Sequence, residues 1–318
     1  MDKSAPESNA PRRISVSREA RGNLVPKVAP FAGRLGGNQQ FVADQGNEGL
    51  LEKDPDAAPG MTLREQFDLR QFRTWSLWKS AMVEGMGSLI LVFVTSWANI
   101  APPTPPPIPS GPLGVFGTST YVGALNGGIS NFLILTLCII SFGPVSGGHL
   151  NPLITFATFT GRLCTLPRMV LYITFQLIGA SIAGLLVRGA YGTRQFIVGG
   201  CWVFTDLVPV RDAFTFEFVA ATALIFLSFG VGLDPRQKKV IPASLSPFLV
   251  GLVLGFISWT SGYTRHGFSG ASMNPARCFG VYVGSSFPNY HWYHWVGAFC
   301  AGSLHGIFYY IVPPYPTS

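Results

Sequence analysis

The sequence predicts an all-α membrane protein, with six transmembrane helices and two re-entrant half-helices arranged as an inverted repeat. Three observations carry that reading. The first is composition: 48% of the 318 residues are hydrophobic, only 12% are charged, and the mean hydropathy is +0.34, too apolar for a soluble domain of this size. The second is a set of six apolar stretches able to cross a hydrocarbon core of about 30 Å, which takes roughly 20 apolar residues. The third is a repeated frame, Ser-Gly-x-x-x-Asn-Pro, at 146–152 and again at 269–275. In both copies a Phe follows the Asn by five residues (Phe156, Phe279) and a Gly follows it by ten (Gly161, Gly284).

Residues 1–75 hold 21 of the 37 charged residues, are rich in Ser, Pro, Gly and Asn, and show no apolar periodicity. That is the composition of a disordered tail. Arg12-Arg13-Ile14-Ser15 has the form of a basophilic-kinase site, which makes Ser15 a candidate for phosphorylation; a chance match in a charged tail is the alternative. No apolar run precedes residue 76, so no cleavable signal peptide is expected and the first span itself directs insertion.

The spans are expected near Ser80–Ile100, Tyr121–Phe142, Arg168–Arg188, Ala213–Leu233, Ala243–Thr260 and Trp292–Val312, with 313–318 as a short C-terminal end. The two Asn-Pro segments lie between the second and third spans and between the fifth and sixth, each too short to cross. Each reads as the start of a half-helix: Asn151 or Asn274 caps the free backbone donors, and Pro152 or Pro275 takes the first helical position, where it loses no hydrogen bond. Leu153 and Ala276 complete the two turns. Glu84 precedes Asn151 by 67 residues and Glu217 precedes Asn274 by 57, so repeats of about 76–190 and 212–312 are expected. Three spans per repeat give the halves opposite topology, which brings the half-helices to the midplane from opposite faces.

Basic residues set the orientation. Arg162 and Arg168 follow the first half-helix, and Arg236, Lys238 and Lys239 lie between spans four and five, so these loops and both termini are expected in the cytoplasm. The uncharged, Pro-rich 102–112 belongs outside, as does 191–211 despite Arg194 and Arg211. The net charge of +7 is spread over loops with no continuous basic stripe, which argues against nucleic acid as a partner. The five cysteines form no CxxC pair and no His/Cys metal spacing, so no metal and no cofactor is expected. Cys201 and Cys278 both fall on the outer side in this topology, where a disulfide persists; two unpaired small residues are the alternative.

Charged groups inside the membrane part are expensive and therefore informative. Arg277 must face an aqueous path or a partner. Glu84 and Glu217 read best as acceptors for backbone N–H groups of the re-entrant loops; a proton relay, which would make the chain a proton-coupled secondary transporter of a small polar solute, is the alternative. His149 and His305 read as packing residues. No nucleophile–base or metal constellation suggests an enzyme.

The paired Asn-Pro motifs, Glu84, Glu217, Gln176 in span three and Gly297 in span six resemble the aquaporin, or major intrinsic protein, family over residues 76–312. Asn274-Pro275-Ala276-Arg277-Cys278, Leu153 where the family usually has Ala, and Gly199-Gly200-Cys201 are similar to its X intrinsic proteins of plants and fungi. The resemblance implies an aquaporin-like passive channel for water and small uncharged polar solutes, of the glycerol, hydrogen peroxide, urea or boric acid class, that excludes protons and ions. It also implies a homotetramer in lipid, with the plasma membrane as the expected site, and an outer constriction formed by Asn131, Ala271, Arg277 and a span-five residue. For the last, alignment on Gly251 gives Ser258, and counting back from Asn274 gives Gly262.

Overall fold

A computed structural model describes residues 32–35, 56, 61–101, 103–104, 119–235, 237 and 240–311. Ser15, the basic trio Arg236, Lys238 and Lys239, and residues 313–318 lie outside the described residues, as does the Pro-rich 102–112 apart from Pro103 and Thr104.

The helical region starts earlier than composition suggests. Residues assigned to the tail form α1 (Leu63–Gln66) and a 3-10 turn (Leu69–Arg73). The cause is local capping. Thr62 and Glu65 form a reciprocal capping box, and the Asp68 side chain accepts from the Arg70 N–H. Gln66 then anchors the stretch by donating from Nε2 to the Phe159 carbonyl at 2.6 Å.

The long helices follow in the expected order: α2 (Trp75–Ala98), α3 (Ser119–Ser146), the half-helix α4 (Pro152–Thr160), α5 (Leu166–Tyr191), α6 (Val210–Ser228), α7 (Ser246–Gly262), the half-helix α8 (Pro275–Gly284) and α9 (Tyr293–Ile311). A π-helical turn, Phe229–Leu233, prolongs α6. Among the described residues, four helical stretches are long and apolar enough to cross a membrane: Trp75–Ala98, Tyr121–Ser146, Leu166–Tyr191 and Val210–Leu233. Helix α7 has 17 residues, about 26 Å at 1.5 Å per residue, slightly less than the hydrocarbon thickness. Two short strands, β1 (Ile100–Ala101) and β2 (Ile197–Val198), pair antiparallel and tie the loop after α2 to the loop after α5.

Packing repeats across the two halves. Helix α2 lies on α5 as α6 lies on α9, and α3 crosses α7 between them. Each half-helix is held by the last long helix of the other half, α4 against α9 and α8 against α5. The closest of these contacts runs through glycine. A Cβ on Gly184 would sit 2.6 Å from the Gly280 carbonyl carbon, and one on Gly284 would sit 2.7 Å from the Gly184 carbonyl carbon. Backbone meets backbone there, as small residues permit between helices in a bilayer. Gly184→Val is expected to push α8 off α5 and lower the melting temperature of the detergent-extracted protein, since overpacking costs about 1–3 kcal/mol even where the surroundings can yield. An unchanged melting temperature would show that this contact does not hold the half-helix.

Candidate functional site: a pore between two half-helix tips

The Asn-Pro turns build closely matched local structures. Residues Leu150 (φ 53°) and Met273 (φ 54°), each directly before its Asn, adopt the left-handed conformation, and Gly147 (φ 99°) and Gly270 (φ 101°) match at the frame's start. A left-handed non-glycine residue costs roughly 1–2 kcal/mol, so the surroundings must hold it. They do so through the two buried carboxylates. Glu84 accepts from the backbone N–H of His149 at 3.0 Å and of Leu150 at 2.6 Å, from Ser146 Oγ at 2.6 Å and from Gln176 Nε2 at 2.9 Å. Glu217 accepts from the N–H of Ser272 at 2.9 Å and of Met273 at 2.7 Å. His294, which the sequence did not single out, puts Nδ1 3.5 Å from Glu217 and Nε2 2.9 Å from the Tyr282 hydroxyl.

With the turns held, the caps meet. The Asn151 side-chain oxygen accepts from Leu153 N–H at 2.9 Å, and that of Asn274 accepts from Arg277 N–H at 3.2 Å. Their amides then reach across the midline: Asn151 Nδ2 donates to the Met273 carbonyl at 2.8 Å, and Asn274 Nδ2 donates to the Leu150 carbonyl at 3.1 Å. Each amide keeps its second hydrogen, and both asparagines line a narrow cavity of about 30 Å³. Leu153 and Ala276 point elsewhere: Leu153 is fully buried in the central core, and Ala276 packs with Val92, Ala180 and Ala183.

On the side of β1 and β2, the narrow cavity meets a vestibule of about 530 Å³. Three residues line both, namely Asn131, Ser272 and Arg277. Asn131 Nδ2 donates to Ser258 Oγ at 3.1 Å, so of the two span-five candidates Ser258 is the one bonded to Asn131. Gly262 also borders the vestibule, packed near Ala124 and Gly270. Ala271 borders the vestibule only, its N–H donating to Ser261 Oγ. Its neighbour Ser272 reaches the junction instead; spacing gave no sign of this, because the hydroxyl is turned by a bond to the Asn274 carbonyl at 3.0 Å.

Arg277 is 6% exposed. Nε donates to Thr95 Oγ1 at 3.2 Å and Nη2 to the Gly199 carbonyl at 2.8 Å, while Nη1 lies 3.3 Å from Cys201 Sγ. These partners are neutral, and among the described residues no carboxylate forms an ion pair with Arg277. The guanidinium therefore stands at the junction with its charge uncancelled by direct contact. Cys201 and Cys278, 77 positions apart, are joined by a disulfide, which fastens the loop carrying Gly199 to the half-helix carrying Arg277. In the chain-entropy view, a closed loop of that length is worth roughly 4.5 kcal/mol.

His149 is more than a packing residue. It lines the narrow cavity, with Nδ1 3.2 Å from Thr155 Oγ1 and Nε2 2.8 Å from the Gly33 carbonyl. His305 is buried among Phe226, Phe229 and Tyr309.

Comparison with known proteins agrees with this geometry. Residues 71–310 match the family model for Major intrinsic protein. Aquaporin TIP1-1 of Arabidopsis thaliana is 30% identical over 231 residues, covering 73% of this chain and 85% of that relative. Probable aquaporin TIP3-2 of Arabidopsis thaliana is 34% identical over 200 residues, covering 62% and 71%. The X-ray structure of the aquaglyceroporin from Plasmodium falciparum superposes with a TM-score of 0.55 at 22% identity, over 74% of this chain and 96% of that one, and shows the shared fold. A match spanning the long helices, joined to paired half-helices that meet tip to tip, makes this chain a member of the major intrinsic protein family.

Proposed function

We propose that the chain is a passive channel whose pore runs from the outer vestibule past Arg277 and between Asn151 and Asn274, and that it carries water together with small hydroxylated solutes such as glycerol and hydrogen peroxide. The observation that carries this reading is the reciprocal Asn pair. It presents donors at the tips of two half-helices, where partial positive charge disfavours cations, and strings hydrogen-bonding groups along an otherwise apolar lumen. Selectivity in this family is known to combine pore width, lining hydrogen-bond groups and an electrostatic barrier from an arginine or half-helix dipoles. Stopped-flow swelling of proteoliposomes with each solute tests the proposal. Flux that rises linearly with concentration supports it, and flux that saturates and follows a pH gradient would favour the proton-coupled transporter. That second reading is weakened by the two carboxylates, which are fully buried, engaged by backbone N–H groups, and absent from the lining of either cavity.

Arg277 supplies a separate test. Arg277→Val is expected to fold, conduct neutral solutes, and leak protons or other cations, because the fixed charge is gone while both half-helix dipoles remain. Ion leakage equal to wild type in a conducting variant would remove Arg277 from the barrier. A homotetramer, assignment to the X intrinsic proteins and residence in the plasma membrane with both termini cytoplasmic are part of the same proposal. The oxidised Cys201–Cys278 pair suits a face exposed to an oxidising compartment, and protease protection of the termini in sealed cells tests the orientation.

A further inference from the structure

The pore has an inner end, and something is seated in it. Residues 32–35 lie against the half-helix α4 side of the bundle, with Ala32 and Arg34 at 0% and Leu35 at 1% exposure. Leu35 lines the narrow cavity alongside His149, Asn151, Leu224, Ser228 and Val250. Small residues make room for it. A Cβ on Gly143 would stand 2.6 Å from the Leu35 carbonyl oxygen, and one on Gly232 would stand 3.1 Å from Leu35 Cδ2.

The segment is bonded in place as a piece of backbone. Leu35 N–H donates to the Gly147 carbonyl at 2.8 Å, and the Gly33 carbonyl meets His149 Nε2. Both partners belong to the loop that leads into Asn151. Arg34 Nη1 donates to the carbonyls of Pro144 at 3.0 Å and Val145 at 3.4 Å, where a cation suits the C-terminal end of α3. Burial lowers the Arg34 guanidinium to about 10, so at neutral pH it keeps its charge.

A clamp secures the segment from behind. Asp56 accepts the Ala32 N–H on its backbone carbonyl and the Thr165 N–H on Oδ1 at 2.8 Å, while Oδ2 pairs with Arg168 Nε at 2.7 Å. The paired side chains are 2% and 7% exposed. Removing one partner of a buried ion pair leaves the other charge uncompensated, so the clamp depends on both Asp56 and Arg168.

We infer that residues 32–35 are a built-in stopper, with Leu35 closing the inner mouth of the pore and the Asp56–Arg168 pair locking it, so that conduction requires the segment to leave. This rests on the channel reading above. A solute that has passed Asn151 meets the Leu35 side chain among Leu224, Ser228 and Val250.

The test uses the full-length protein. In proteoliposomes, Asp56→Asn and Leu35→Gly are each expected to raise solute permeability per channel by about tenfold, the change that accompanies a loss of about 1.4 kcal/mol in seating. In parallel, Leu35→Cys in a Cys300→Ser background is treated with a membrane-impermeant maleimide at the inner face. The introduced thiol should be shielded, and adding Asp56→Asn should expose it. Equal permeability in all proteins, above that of empty vesicles, overturns the stopper and leaves the channel intact. Rapid labelling of Leu35→Cys with Asp56 present also overturns it. Flux no higher than empty vesicles in every protein, with the thiol still shielded, overturns the channel reading and the stopper with it.

Discussion

Glu217→Ala is expected to yield little folded protein, and what survives extraction should elute as aggregate on size exclusion. The substitution strands the N–H groups of Ser272 and Met273, which bond to Glu217 at 2.9 Å and 2.7 Å. A buried unsatisfied donor costs about 1–3 kcal/mol, against a total stability of about 5–15 kcal/mol for an ordinary domain. Met273 must also be held at φ 54°, and without the carboxylate only the Asn151 amide on its carbonyl is left to hold it. Glu217→Gln keeps one acceptor oxygen but faces its NH₂ toward a donor, so it should fall between Ala and wild type. Glu84→Ala should behave as Glu217→Ala does, losing the bonds to His149 and Leu150. A Glu217→Ala protein that elutes and melts like wild type, yet has altered flux, would move this residue from supporting the loop to the transport step itself.

Asn131→Trp is expected to cut glycerol permeability by about tenfold or more while water loses much less, since pore width is the term it changes most. Asn131 stands at the junction of the two cavities and donates to Ser258, and its Oδ1 has no hydrogen-bond partner among the described residues. A solute hydroxyl that passes this junction without a partner gives up water at about 1–3 kcal/mol per unmatched group. The indole removes the amide, with its bond to Ser258, and fills the space beside it. Glycerol, wider and with three hydroxyls to satisfy, loses on both counts, and water mainly on the first. Equal loss of both solutes, or loss of neither, would show that Asn131 does not line the path.

The parts of this architecture that recur along the chain are readable from it. The Ser-Gly-x-x-x-Asn-Pro frame foretells two matched turns, and the turns carry the same left-handed residue and the same cap. Glu84 and Glu217 read as backbone acceptors because an ionised group inside a membrane needs a reason. What is not readable depends on contacts between distant residues that leave no local pattern. Thr95 and Arg277 are bonded across 182 positions, and nothing in the sequence around Thr95 marks it. Ser272 reaches the junction in place of Ala271 because of a hydroxyl's orientation, which spacing does not encode. The Ala32–Leu35 stretch is four residues within a charged, Gly-rich tail; composition averages over it, while its burial comes from surfaces on α3, α4 and the α6 extension. Residues 61–74 are hidden similarly, since a single capping box is a weaker signal than the polar composition around it.

The exchange of bonds between Asn151 and Asn274 also bears on how the chain is made. A ribosome delivers α4 long before it delivers α9, the helix that α4 packs against, and before Met273, whose carbonyl takes the Asn151 amide. The 160 residues between Asn151 and Ile311 take roughly 8–32 seconds at about 5–20 residues per second. The tip of the first half-helix stays unmatched until Met273 is made, and the half-helix lacks its packing partner until α9 is made. The early half must therefore wait with these contacts unmade, and the last span to emerge is the one that completes the fold.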